Sequence, residues 1–250
     1  MNKPYRINLS AALMTFLIAW SIAPAQAQAA DKQGLSETYT QAIASPLRTD
    51  ADRAADAARK PVQFLQLANA QPGMRVLDVA AGGGYTAQLL ALVVGKDGMV
   101  WGQATKPGSA LEKRLATHPQ PNVIAVVLPF DNPVPKDATK LDLITIVMNY
   151  HDIAYMPVDR AKMNKSLFDA LKAGGHLVVI DHSAKPGTGV ADAQTLHRID
   201  EKTVMDEFQQ AGFKLEQQSD YLRNPADPRE QPFYEMKIPS DKFALRFVKP

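Results

Sequence analysis

The run that most constrains this chain is Met74 to Thr86, MRVLDVAAGGGYT. Met74 to Ala80 reads as a short buried strand and three glycines follow. Tyr85 to Val94 then reads as a helix, with Leu89, Leu90 and Val93 at packing spacing. A strand that passes through glycines into a helix opens an α/β unit, because glycine lets the backbone turn tightly and approach a ligand closely. Two phosphate-binding readings fail on spacing. The third glycine of G-x-G-x-x-G is missing, and no Lys-Ser or Lys-Thr follows as in a Walker loop.

The same alternation continues downstream. Strands are expected at Met99–Gly102, Val123–Val127, Leu141–Met148, His176–Ile180, Phe213–Gln218 and Phe243–Val248. Helices are expected at Ser109–Thr117, Arg160–Leu171 and Asp200–Gln210, the second stopped by Gly174-Gly175. The pattern gives an α/β fold: a Rossmann-like, seven-stranded, mostly parallel sheet with helices on both faces. The last two strands are joined by a proline-rich stretch without a clear helix, which suits a C-terminal antiparallel pair. Upstream, Leu47 to Ala70 reads as a helix broken near Pro61, and Asp31 to Pro46 as a loose lead-in or short helix.

The first 29 residues are of a different kind. Lys3 and Arg6 precede an apolar run from Leu9 to Ala23, and Ala25-Gln26-Ala27 and Ala27-Gln28-Ala29 offer small-residue cleavage sites. This is the three-part pattern of a secretory signal peptide, cut after Ala29, and the run is short for a spanning helix of about 20 residues. The division read from sequence is therefore signal peptide 1–29, helical lead-in 30–70 and main domain 71–250. No stable membrane insertion is expected after cleavage, and the location is exported, periplasmic in a Gram-negative bacterium. Lys3 and Arg6 are the only charges in the leader, so the rest of the chain holds 26 basic and 26 acidic residues. A neutral chain without a basic, aromatic-interleaved cluster does not suit a nucleic-acid partner. The absence of cysteine excludes disulfides, thiolate metal ligands and a cysteine nucleophile.

The glycine segment resembles the first motif of class I S-adenosylmethionine-dependent methyltransferases, hydrophobic-Leu-Asp-hydrophobic-x-x-Gly-x-Gly, and the likeness extends over most of residues 60 to 250. It implies S-adenosylmethionine as cofactor. Asp78 stands in the motif's acid position, Gly82 and Gly84 are the loop glycines, and Ala80 is the residue past which the cofactor runs. Gln103 aligns with the acid that usually holds the ribose hydroxyls. As a neutral partner it would make weaker hydrogen bonds there than a charged one. Phe130 and Asp131, after the third strand, align with the adenine-side positions. Read from the residues alone, Asp78 also suits a carboxylate capping loop amides, Gln103 a polar loop residue, and Asp131 an Asp-Asn-Pro turn.

The remaining chemistry lies at strand ends. The fourth strand runs into Asn149-Tyr150-His151-Asp152, the fifth ends in Asp181-His182, and His197 follows a segment, Ser183 to Leu196, that contains Gly187 and Gly189. Carboxyl ends of neighbouring parallel strands converge on one crevice. His151, Asp152, Asp181, His182 and His197 are therefore the candidate catalytic residues, with histidine as proton acceptor and aspartate as its orienting partner. Neither His-Asp pair has the spacing of a local metal motif, so no metal is assigned. The Tyr150-His151-Asp152, Asp181-His182 and His197-Arg198-Ile199-Asp200 runs, with Leu222 to Asp227 and the terminal Lys242 to Pro250, resemble a little-characterised group of exported bacterial methyltransferases. The function this implies is methyl transfer to a small molecule. The alternative is an exported protein that binds a small ligand or nucleoside on the same fold without transfer.

Overall fold

The computed structural model describes Met1 and residues 23–250, and in the first helix side chains are described from Gln33 onward. The apolar leader run up to residue 22 lies outside the described residues. Two units are distinguished, Met1–Ser36 and Glu37–Pro250, and the second carries the whole sheet. Among the described residues no helix is long and apolar enough to cross a membrane.

In chain order the elements are α1 (Ala23–Ala44), α2 (Asp50–Arg59), α3 (Pro61–Ala68), β1 (Arg75–Val79), α4 (Tyr85–Val94), β2 (Met99–Ala104), α5 (Ala110–Thr117) and β3 (Val123–Val127). They continue with β4 (Leu141–Val147), α6 (Tyr150–Tyr155), α7 (Arg160–Ala170), β5 (Leu171–His182), α8 (Glu201–Gln210), β6 (Lys214–Ser219) and β7 (Lys242–Val248). The seven strands form one sheet in the order β3-β2-β1-β4-β5-β7-β6. β1 to β5 are parallel, whereas β7 runs antiparallel to both β5 and β6. This is the expected mostly parallel sheet with its antiparallel C-terminal pair.

Hydrophobicity sorts the strands into that order. β1, β4 and β7 are almost wholly buried and apolar, as strands covered on both faces must be. β6, KLEQQS, is mostly exposed and forms an edge, where polar side chains discourage pairing with another chain. Ile144, Ile146, Leu177, Val179, Leu245 and Phe247 join Met163, Leu167 and Phe208 of α7 and α8 in the main core.

Three departures from the sequence reading matter. The segment read as a loose lead-in or short helix over Asp31 to Pro46 falls largely in α1, which starts at Ala23, whereas the break expected near Pro61 is present: the left-handed backbone of Lys60 separates α2 from α3 and Pro61 opens α3. β5 begins at Leu171, which pairs with Leu141 before the register shifts and His176 meets Leu143. Between β4 and α7 lies α6, six residues long, which carries His151 and Asp152.

Candidate functional site

The turn after β1 is built by backbone. Ala80, Gly82 and Gly84 have φ of 54°, 55° and 80°. A left-handed residue with a side chain costs about 1–2 kcal/mol. Ala80 is held there from both sides, its amide donating to Gln103 Oε1 at 2.9 Å and its carbonyl accepting from Asn149 at 3.2 Å. Gly84 is glycine first for its φ of 80°, and an added Cβ would also meet Leu111 Cδ1 at 2.6 Å, so that side chain would have to shift. A Cβ on Gly82 would have only Ala80 O nearby, at 3.9 Å, so nothing among the described residues fills the space beside it.

Asp78 lies under this turn, buried, with one oxygen accepting from Thr145 Oγ1 at 2.7 Å and the other without a hydrogen-bond partner. Burial pushes its carboxyl up to about 7, against the opposing pull of Thr145, Arg59 and the Ala87 amide. Gln103 is completely buried. Its Oε1 serves Ala80 and its Nε2 donates to Leu128 O at 2.6 Å, so the side chain works as a strut between the ends of β1, β2 and β3. Asp131 accepts from the Asp159 amide at 2.8 Å, which ties the loop after β3 to the start of α7. Phe130 packs half-buried against the core.

Helices α2 and α5 close over the turn through charges that the sequence reading passed over. Arg114 of α5 donates to Gly83 O at 3.2 Å and pairs with Asp52 of α2 and with Gln88. Tyr85 donates to Asp56 at 2.7 Å, Arg48 binds the same carboxylate, and Arg59 lies 4.6 Å over the Tyr85 ring.

The second part of the site is made of side chains. Asp181, at the end of β5, is fully buried. It accepts from the His151 amide at 2.8 Å, the His151 ring Nδ1 at 2.6 Å and the His182 amide at 2.7 Å. The opposite nitrogen of His151, Nε2, stands 3.2 Å from Asp152 Oδ1, and that oxygen is 3.0 Å from His197 Nδ1. A continuous line therefore runs from buried Asp181 through His151 and Asp152 to half-exposed His197. Burial works against a charge on His151, but Asp181 and Asp152 outweigh it and raise its pKa to about 9. Burial opposes ionisation of Asp152 as well, and its hydrogen bonds to His151 and His197 hold it below the usual carboxylate range.

His182 is the neutral member. Burial, then Lys242, His151 and Arg198, push its pKa down to about 2. Its Nδ1 is 2.7 Å from Ser240 Oγ, and its ring stacks on Phe233 at 3.8 Å and 7°. His197 adopts φ of 50° and sits 5.5 Å from the His151 ring, with Tyr155 and Tyr234 rings at 6.1 and 5.6 Å. Its neighbour Arg198 anchors it. That guanidinium is fully buried, paired with buried Asp227 at 2.8 Å, and donates to Ser183 O and Gln231 O.

All five candidate catalytic residues thus meet in one cluster. Asp78, Ala80, Gly82, Gly84 and Gln103 meet around the glycine turn, and Asn149 joins the two groups. Asp131 is drawn to α7 instead. Phe233, Ser240 and Arg198 are parts that the sequence reading did not find. Arg198 stood in a recognised run beside His197, but nothing marked it as buried.

Comparison with known proteins bears on the fold. The family model of protein-L-isoaspartate(D-aspartate) O-methyltransferase matches residues 30–127, from the lead-in to the end of β3. No curated protein sequence matches the chain. A SAM-dependent methyltransferase from Aquifex aeolicus superposes with TM-score 0.59 at 18% identity, over 79% of this chain and 93% of its own. A methyltransferase from Mesorhizobium loti gives 0.57 at 15%, over 77% and 99%. The arsenic(III) S-adenosylmethionine methyltransferase of Chlamydomonas reinhardtii gives 0.51 at 16%, over 72% and 64%. The fold is that of class I S-adenosylmethionine-dependent methyltransferases.

Proposed function

We propose that the protein transfers a methyl group from S-adenosylmethionine to a small-molecule acceptor. The observation that carries this is the junction at Asn149, which ties the glycine turn to the helix that presents His151 and Asp152. The turn suits a cofactor on two grounds: a buried carboxylate oxygen of Asp78 lacks a partner, and the space beside Gly82 is unfilled. Asp78, Ala80, Gly82 and Gly84 would hold the cofactor, with Phe130 and Asp131 on its adenine side and Gln103 acting through Ala80. When bound, it supplies an electrophilic methyl on a sulfonium. The chain's part is to hold the acceptor in line, which is the large term in such transfers, and to take its proton. The half-exposed Asp152–His197 end of the line is the group that does so, while His151, held charged at neutral pH by Asp181 and Asp152, orients Asp152, and Phe233, Tyr155 and Tyr234 bound it.

We also propose an exported, periplasmic protein of the little-characterised bacterial group, on the strength of the basic and apolar leader and the shared histidine runs. A small acceptor agrees with the absence of net charge outside the leader.

Calorimetry with S-adenosylmethionine tests the reading. The protein should bind one equivalent. Asp152→Ala should keep that binding, because Asp152 lies on the acceptor side, and should lose turnover on any acceptor found. Absence of binding at millimolar cofactor refutes the reading.

A further inference from the structure

We infer that His151, Asp152 and His197 form a binding site for one divalent transition-metal ion of the zinc class. The inference deepens the acceptor-side reading above, on which its catalytic role rests, although the binding itself does not need that reading.

One ligand atom from each of the three residues lies within 4.8 Å of the other two. Two of the separations are already close to a coordination polyhedron. His151 Nε2 to Asp152 Oδ1 is 3.2 Å, and His197 Nδ1 to Asp152 Oδ1 is 3.0 Å. With bonds of about 2.0–2.2 Å to nitrogen and oxygen, neighbouring ligands of a tetrahedral ion stand roughly 3.3 Å apart. The third separation closes by a shift of His197, which is half-exposed and lies outside helix and strand.

A second feature points the same way. A metal-bound imidazole characteristically gives its other nitrogen to a carboxylate, which fixes the ring and its tautomer. His151 does this: Nδ1 is 2.6 Å from Asp181, while Nε2 is the nitrogen facing Asp152. Asp181 is fully buried and also accepts two backbone amides, so it is a fixed post rather than a mobile ligand. The left-handed backbone of His197, beside the buried Arg198–Asp227 anchor, holds the other imidazole toward the same point.

Two imidazoles and one carboxylate select against magnesium and calcium, which prefer oxygen alone, and suit zinc and its neighbours. Three protein ligands leave a position open, as catalytic rather than structural zinc sites do. An acceptor hydroxyl bound there would have its pKa lowered, and so would become a nucleophile at neutral pH.

The test uses purified protein freed of metal by a chelator and titrated with Zn²⁺ by calorimetry. One equivalent should bind, and Co²⁺ in its place should give the visible absorption of a four-coordinate site. His197→Ala and Asp152→Ala, both at half-exposed positions, should abolish binding while their circular dichroism and metal-free melting stay close to those of the parent. Asp181→Asn should weaken binding about 10–100-fold. His118→Ala, at an exposed position on the far end of α5, should bind as the parent does. Absence of zinc binding by the parent, or unchanged affinity in His197→Ala and Asp152→Ala, overturns the inference. S-adenosylmethionine titrated into the same samples separates the two readings. Zinc binding without cofactor binding upholds the site and removes the transferase reading, whereas cofactor binding and turnover in zinc-free protein uphold the transferase reading and remove only the catalytic role given to the ion.

Discussion

The two halves of the site are built on opposite principles. The glycine turn is local: Asp78 to Gly84 are seven consecutive residues, and what they offer is mostly backbone in left-handed conformations. The histidine cluster is assembled from β4's end, β5's end, the segment before α8 and the turn at Phe233, over more than eighty residues, and what it offers is side chains. A local backbone device is specified by a motif and braced by a few struts. A side-chain device needs buried charges to hold distant segments in place. The halves should therefore fail differently.

The largest difference is expected at Arg198. Both it and Asp227 have fully buried side chains, and the guanidinium also satisfies two backbone carbonyls. Arg198→Ala leaves Asp227 charged and partly unpaired in the interior and should cost about 3–5 kcal/mol in urea denaturation. The loss should fall on the His197 side first, so hydrogen exchange should rise there before it rises at the glycine turn. A loss below about 1 kcal/mol would mean that the buried pair does not hold the cluster.

Asp78 should respond with the opposite sign. Its folded pKa of about 7 lies above the ordinary carboxylate value, so the native state holds its proton more tightly than the unfolded chain does. Stability from this group is full below about pH 4 and is lost as pH rises toward 7, a swing on the order of 4 kcal/mol. Asp78→Asn keeps an acceptor for Thr145 without the buried charge. It should flatten the pH 4–7 limb and be the more stable protein at pH 8. A limb unchanged by the substitution would place the proton elsewhere.

What the sequence shows of the molecule follows the same division. Helix Tyr85–Val94 and strand Val123–Val127 were expected at the bounds they have, because apolar residues at helical packing spacing after the glycines and a short apolar run are local signals. The meeting of His151 with Asp181 was legible too, since His151 follows β4 and Asp181 ends β5, parallel strands that lie side by side. The short helix α6 was not: six residues hold too little of a helical period to register. The stacking of Phe233 on His182 was equally hidden, because no spacing in the chain marks a contact across fifty residues that include α8 and β6. Gln103 was placed correctly at the end of β2, but its task depends on Ala80 and Leu128 lying within reach of its amide, which only the folded sheet provides.

Within the turn, the two loop glycines should separate packing from binding. Gly84→Ala forces a Cβ against Leu111 in a left-handed backbone and should cost about 2–3 kcal/mol, read as a lower melting temperature. Gly82→Ala carries the backbone strain alone, about 1 kcal/mol, yet fills the space beside the turn. It should weaken S-adenosylmethionine more than it weakens the fold. Equal losses of stability in both variants, with cofactor affinity intact in Gly82→Ala, would move the cofactor away from this turn.

A further effect is expected at Gln103, and it bears on whether the turn is braced by a strut or lined by a ligand group. The side chain is wholly buried, accepting from the Ala80 amide at 2.9 Å and donating to Leu128 O at 2.6 Å. Gln103→Glu keeps the acceptor. It can keep the donor only while the carboxyl is protonated, since an ionised oxygen would face the Leu128 carbonyl. The cost at neutral pH should be about 1–3 kcal/mol, that of a buried hydrogen bond left unmade. The new carboxyl should be held above its unfolded pKa, so the native state binds the extra proton. The penalty is then absent below about pH 4 and grows as pH rises through that raised value. Denaturation of parent and variant at pH 4 and pH 8 measures it, with stabilities close at the first and apart at the second. Cofactor affinity should stay level or fall with the loosened Ala80. A variant as stable as the parent at pH 8, with tighter S-adenosylmethionine binding, would show that residue 103 faces the ribose and that the turn does not depend on its strut.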